Sequence, residues 1–191
     1  TCLAARSDVN GDKLGMTGYS AGGVATLISA AVDDRIKAAV PLSGMGGWAE
    51  AVKSPKAWQH GLLTLAGLDV QSPEWTKLID ELDSSNLLPA TNTPVMLVNG
   101  TSDEFFPLTA HLLTYDNISG AVEKRTSISG NFDHGCYLIS GGESAETIEE
   151  RASLRASGAQ RLWFGHFLSG DSEWGYLPAQ PDVTTSAVGA A

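Results

Sequence analysis

Gly18-Tyr19-Ser20-Ala21-Gly22 constrains what this chain can fold into more than any other stretch, because of what stands on either side of it. Residues 13–17 form a short, partly apolar stretch that reads as a strand, preceded by the turn-rich Asp8-Val9-Asn10-Gly11-Asp12. Residues 20–32 carry Ala21, Val24, Ala25, Leu27, Ile28 and Ala31 without a proline, which suits a helix buried over much of its surface and closed by Asp33-Asp34. A serine between such a strand and such a helix sits on a sharp bend. Small neighbours let the backbone segments close up there and leave the hydroxyl exposed at the strand's carboxyl end.

Further along, residues 36–42 and 95–98 are apolar runs without polar alternation, the pattern of strands covered on both faces, as in a parallel sheet. Residues 122–128 alternate more and suit a strand nearer an edge. Helices are expected over 108–115 and 146–168, the latter opening on Glu143, Glu146, Glu149 and Glu150, where acidic side chains favour the helix dipole. The order is strand, helix, strand, insertion, strand, helix, strand, helix, so the class is α/β, with a mostly parallel sheet flanked by helices. The insertion, residues 44–92, is too long for a plain connection. It holds Trp48, Trp58 and Trp75 among helix-compatible stretches punctuated by Pro55, Pro73 and Pro89, and predicts a helical cap after the second strand. The chain thus divides into 1–43 (elbow strand, helix, next strand), 44–92 (cap), 93–177 (remaining strands and helices) and a loosely ordered tail, 178–191.

Composition narrows the partners. With 191 residues and 42% hydrophobic content the chain can bury a sizeable core. Twelve basic residues against 22 acidic ones give a net charge of −10, which excludes the Lys/Arg stripe of a nucleic-acid or anionic-membrane surface. No apolar run approaches the ~20 residues that a membrane-spanning helix needs. Two cysteines, Cys2 and Cys136, suit a disulfide or two separate thiols equally.

A serine hydroxyl is a weak nucleophile at neutral pH. It needs an imidazole to take its proton and a carboxylate to fix that imidazole's tautomer. The loop after the third strand, Asn99-Gly100-Thr101-Ser102-Asp103-Glu104-Phe105-Phe106-Pro107, offers Asp103, with Glu104 as a second choice. The loop after the fourth, Ser129-Gly130-Asn131-Phe132-Asp133-His134-Gly135, offers His134, with Asp133 as a third carboxylate. His60 falls in the insertion, His111 in a helix and His166 in the last helix, where structural roles suit them better.

Ser20, Asp103 and His134, in that chain order and at the ends of successive strands, resemble the α/β-hydrolase superfamily from about residue 12 to about residue 176. Within it the chain is similar to cutinase-like polyester hydrolases and dienelactone hydrolases, through Trp48, the His134/Cys136 pair and the ending Trp163-Phe164-Gly165-His166-Phe167-Leu168-Ser169-Gly170-Asp171. The resemblance implies a serine esterase that hydrolyses carboxylic esters through an acyl-enzyme. Ser20 would be the nucleophile, His134 the base and then acid, Asp103 the orienting carboxylate, and the Ala21 N–H half of the oxyanion hole. It implies no cofactor and no metal, and a secreted or periplasmic location. Members of the superfamily carry several strands and helices ahead of the elbow, so the resemblance also implies a second polypeptide, or an N-terminal half cleaved from this one, that completes the sheet. Peptidases of the prolyl oligopeptidase type are the alternative. They share the elbow, and Asp33-Asp34-Arg35-Ile36-Lys37-Ala38-Ala39-Val40 suits them equally. A non-catalytic hydrolase fold used for binding is a third reading, although no triad member is lost.

Several residues have a plainer role beside the sharper one. Ser20 can cap the helix that follows it. Trp48 suits an acyl pocket and the packing of cap against sheet equally, and Tyr19 suits substrate contact or packing beside the nucleophile. Asp8-Val9-Asn10-Gly11-Asp12 begins like a calcium loop, but the twelfth position is Tyr19 rather than the closing Glu, so a solvent-facing turn is preferred.

Overall fold

A computed structural model describes residues 2–134, 144–170 and 177–178. Four strands, β1 (Leu14–Tyr19), β2 (Ile36–Leu42), β3 (Val95–Gly100) and β4 (Lys124–Ser129), form one sheet in the order β1-β2-β3-β4, with every neighbouring pair parallel. Parallel neighbours need long crossovers, and helices supply them. Helix α1 (Ala21–Val32) joins β1 to β2, and α6 (Leu108–Asn117) joins β3 to β4. Between β2 and β3 come α2 (Trp48–Ala51), α3 (Trp58–Ala66), α4 (Pro73–Leu82), α5 (Ser84–Leu87) and the 3-10 turn Leu88–Ala90. Helix α7 (Ala145–Phe164) follows β4 and widens into a π-turn over Gly165–Ser169.

The apolar runs are buried on both faces because alternate residues feed two different cores. Ala39, Val95 and Leu97 face Val24, Leu27 and Ala30 of α1 together with Trp48, Leu63, Trp75 and Leu88 of the insertion. Ala38, Val40, Leu42, Met96 and Val98 face Ala159 and Trp163 of α7. The result is a three-layer α/β arrangement. The ladder from β2 to β3 runs Ala39 N–H to Pro94 carbonyl and Ser43 N–H to Val98 carbonyl, and it skips Pro41, which has no N–H to give.

Three strands have bounds that differ from the sequence reading, and β3 does so by continuing past residue 98 through Asn99 and Gly100. Strand β1 continues past residue 17 through Gly18 and Tyr19, which pair with Pro41 and Leu42, so the strand runs straight into the serine. Strand β4 starts only at Lys124, because Val122 belongs to a turn whose N–H bonds the Ser119 carbonyl. Among the described residues it is the sheet's edge, in line with its more polar sequence.

The insertion is built into the body of the molecule. Asp83, at the N-cap of α5, accepts the N–H groups of Gly47 (2.9 Å), Trp48 (2.6 Å) and Ser85 (3.0 Å) and the Ser85 hydroxyl (2.6 Å). This buried carboxylate fastens α5 to the start of α2, where Gly47 takes the left-handed conformation. The tail beyond residue 178, Cys136 and Glu143 lie outside the described residues. Cys2 is an exposed free thiol. Among the described residues no helix is long and apolar enough to cross a membrane.

Candidate active site

Ser20 has φ 57° and ψ −120°, a conformation that costs a non-glycine residue and is kept only where its surroundings enforce it. The enforcement is visible. Its N–H bonds the Leu42 carbonyl at 2.9 Å, and its carbonyl accepts the N–H groups of Gly23 (2.8 Å) and Val24 (3.1 Å), starting α1. A Cβ on Gly18 would lie 2.3 Å from the Gly22 carbonyl oxygen, and one on Gly44 would lie 2.2 Å from that of Ser20. Only glycine fits at these two places, because strand, helix and the loop after β2 all converge on the turn. Gly22, the second glycine of the pentapeptide, has open space where a Cβ would stand.

Although it stands at the N-cap position, Ser20 makes no side-chain capping bond to α1. Its Oγ lies 2.9 Å from His134 Nε2 instead. On the far side of the ring, His134 Nδ1 is 3.1 Å from both carboxylate oxygens of Asp103. Ser20, His134 and Asp103 therefore come together from the ends of β1, β4 and β3. Asp103 is only 4% exposed, and its Oδ1 also accepts the N–H groups of Phe105 (3.0 Å) and Phe106 (2.9 Å), so the buried charge is satisfied by its own loop. Of the three carboxylates the sequence offers, Asp103 is the one at the ring. Glu104 reaches the His134 main-chain N–H at 3.2 Å.

Three aromatic rings surround the imidazole. Phe106 stacks at 5.7 Å, Phe105 meets it edge-on at 4.8 Å, and Tyr19 is tilted at 5.2 Å. The His134 side chain is left 13% exposed. Behind Phe106 stands Trp58, its ring stacked at 5.8 Å and its main-chain N–H donating to the Phe105 carbonyl at 3.0 Å, so the insertion leans on the loop that carries Asp103.

Ala21 is the first residue of α1, and its N–H is one the helix cannot satisfy internally. It thus sits beside Ser20 as a main-chain donor with no partner inside the helix. Trp48 is 3% exposed, its Nε1–H donates to the Met45 carbonyl and its ring meets Trp58, which corrects the acyl-pocket option to packing of the insertion. Tyr19 is 45% exposed and points its hydroxyl at the His134 carbonyl. His60, His111 and His166 lie in α3, α6 and the closing π-turn. In the Asp8–Asp12 stretch, Asp8 pairs with Arg6 and the Asn10 side chain accepts the Asp12 N–H, which is a turn. Among the described residues no three His, Cys, Asp or Glu side chains group as a metal site would.

The sequence reading missed Phe105, Phe106 and Trp58 around the ring. The two phenylalanines were legible as neighbours of Asp103, whereas nothing in the sequence tied Trp58 to that loop.

In its chemistry, the arrangement can take a proton from Ser20, pass it to a leaving group and stabilise the imidazolium in between. The fold is shared with solved hydrolases. A Pyrococcus horikoshii acylaminoacyl peptidase superposes with a TM-score of 0.69 at 17% identity, over 94% of this chain and 27% of its own. A Mycobacterium tuberculosis puromycin-hydrolyzing peptidase gives 0.63 at 20% identity, over 84% of this chain and 22% of its own. An acetyl xylan esterase from a Paenibacillus species gives 0.62 at 16%, over 82% and 48%. This chain therefore spans about a quarter of the length of those peptidases and about half that of the esterase. No curated protein sequence matches it. The model of the prolyl oligopeptidase family matches residues 1–137, from the start of the chain through the whole Ser20, Asp103 and His134 constellation, in place of the cutinase and dienelactone hydrolase groups. With an α/β-hydrolase sheet, a serine elbow and a family match over more than two thirds of its length, this chain belongs to the prolyl oligopeptidase family.

Proposed function

We propose that the chain carries the catalytic triad of a serine peptidase that works through an acyl-enzyme. The observation that carries this reading is His134, which bridges Ser20 Oγ at 2.9 Å and Asp103 at 3.1 Å on a turn whose serine is held in a strained conformation. As Ser20 Oγ attacks the substrate carbonyl carbon, His134 Nε2 takes the hydroxyl proton, and Asp103 stabilises the charged ring. The carbonyl electrons move onto oxygen, where the Ala21 N–H donates to them. Collapse of this intermediate breaks the bond to the leaving amine, which receives the proton from Nε2. Water then repeats the sequence on the acyl-Ser20 ester and frees the acid.

Membership of the prolyl oligopeptidase family favours an amide over an ester substrate. The likeness to an acetyl xylan esterase keeps ester hydrolysis as the second reading. Turnover of a peptidyl anilide against a short-chain p-nitrophenyl ester, with fluorophosphonate labelling of Ser20, separates them. Faster anilide cleavage is expected, and Ser20→Ala should abolish both labelling and at least about a thousandfold of the rate. Ester turnover without anilide cleavage would reject the peptidase reading, and the absence of label on Ser20 in properly assembled protein would favour a binding role.

We infer further that another segment, on this polypeptide or on a second one, completes the sheet along β1 and supplies the second oxyanion donor. The support is that β1 is hydrogen-bonded only to β2 among the described residues.

A further inference from the structure

His134 is held by its main chain as well as by its ring. The Tyr19 hydroxyl donates to the His134 carbonyl, and Glu104 Oε2 accepts the His134 N–H at 3.2 Å. Tyr19 is the chain neighbour of Ser20, and Glu104 is the chain neighbour of Asp103. Each of the two partners of His134 thus lends an adjacent side chain to the peptide that presents the imidazole.

The need for such a grip follows from the loop. His134 stands five residues beyond the end of β4, past Asn131 at φ 60°, where no helix or strand fixes its position. The root of the loop is docked on the one after β3. Asn131 N–H bonds Thr101 Oγ1 at 2.9 Å, Ser102 N–H bonds the Phe132 carbonyl at 3.0 Å, and a Cβ on Gly100 would lie 2.1 Å from that same carbonyl oxygen. Beyond Phe132, among the described residues, the main-chain bonds that reach His134 come from Tyr19 and Glu104.

We propose that Tyr19 and Glu104 are positioning residues, which hold the His134 peptide so that Nε2 meets Ser20 Oγ and Nδ1 meets Asp103. This rests on the acyl-enzyme reading and takes Tyr19 out of the substrate-binding role. Proton transfer tolerates little displacement, and a shift of ~1 Å costs on the order of a hundredfold in rate. Both side chains are partly open to solvent, so water can replace their bonds with small cost in stability. Their loss should therefore appear in rate far more than in folding.

The test uses the protein assembled with the segment that completes its sheet, and four variants, Tyr19→Phe, Glu104→Ala, Glu104→Gln and Ser20→Ala. Tyr19→Phe keeps the ring and removes only the donor. It should lower kcat about tenfold with KM changed less than about twofold, and slow labelling by a small fluorophosphonate by the same factor as kcat. Glu104→Ala should do likewise, and Glu104→Gln, whose Oε1 can still accept the His134 N–H, should recover most of that loss. Melting temperatures within about 2 °C of the parent would separate this from unfolding. If Tyr19→Phe raises KM and leaves labelling unchanged, Tyr19 touches substrate and the proposal is wrong for it. Equal losses in Glu104→Ala and Glu104→Gln would show that charge, rather than an acceptor for the peptide, is what matters, and would overturn it for Glu104. An unlabelled parent protein sinks the hydrolase reading and this proposal with it, whereas a labelled parent with unaltered variants sinks the proposal alone.

Discussion

At the scale of single residues, the elbow is decided by sterics that the pentapeptide only partly reveals. Gly18 and Gly22 look equivalent in sequence, yet only Gly18 stands against another backbone, and the second tight position is Gly44, outside the pentapeptide. Alanine at Gly18 or Gly44 should cost about 2–3 kcal/mol or more, since a Cβ would press on carbonyl oxygens that cannot move without releasing Ser20. Gly22→Ala should be neutral or slightly stabilising, by about 0.5 kcal/mol, because helical glycine is entropically costly and this one is open to space. Chemical-denaturation midpoints measure all three. A Gly22→Ala loss as large as that of Gly18→Ala would show that the backbone crowding has been misread.

At the scale of elements, α6 lies against β4 through a titratable contact. His111 is fully buried, its Nε2 lies 2.5 Å from Thr126 Oγ1 on β4, and its Nδ1 has no partner among the described residues. Burial pushes the imidazole down to about 4 from an ordinary 6.5, because a charged ring would be stranded there. Below pH 6.5 the unfolded chain therefore binds a proton that the folded one refuses until about pH 4. Stability falls as pH falls through that window, by about 3 kcal/mol at most, and is unaffected by this group above it. Denaturation midpoints at pH 7, 5 and 4 should converge in His111→Gln relative to the parent. Equal acid loss in both proteins would place the acid sensitivity elsewhere. The helix itself was legible in the sequence. That its histidine is enclosed was not, because burial depends on a strand that the chain reaches only later.

At the scale of the whole molecule, the sheet is closed at neither side among the described residues. On β1, Gly15, Thr17 and Tyr19 are exposed. Beside that strand runs a groove lined by Asn10, Lys13, Gln160, Phe164 and Leu168. An open parallel edge with an apolar floor is a template for pairing with another strand. The chain alone should therefore associate or aggregate, and co-expression with a segment that supplies the next strand should yield a soluble complex that reacts with fluorophosphonate. Light scattering and gel filtration decide this. A monodisperse 20.0 kDa species that hydrolyses substrate without a partner would rule out the second segment.

The sequence by itself determined the class of fold and the triad candidates, because both rest on local rules. Apolar runs without alternation mark strands buried on two faces, small residues mark the helix behind the elbow, and catalytic side chains fall at strand ends in a fixed chain order. Tertiary structure alone decided which carboxylate faces His134, which glycines are indispensable, that Trp48 packs rather than lines a pocket, and that Tyr19 and Glu104 grip the histidine peptide. The physical reason is the same in each case. These outcomes depend on contacts between segments as far apart as Tyr19 and His134, or Gly47 and Asp83, and such contacts leave no periodicity or spacing in the chain to be read.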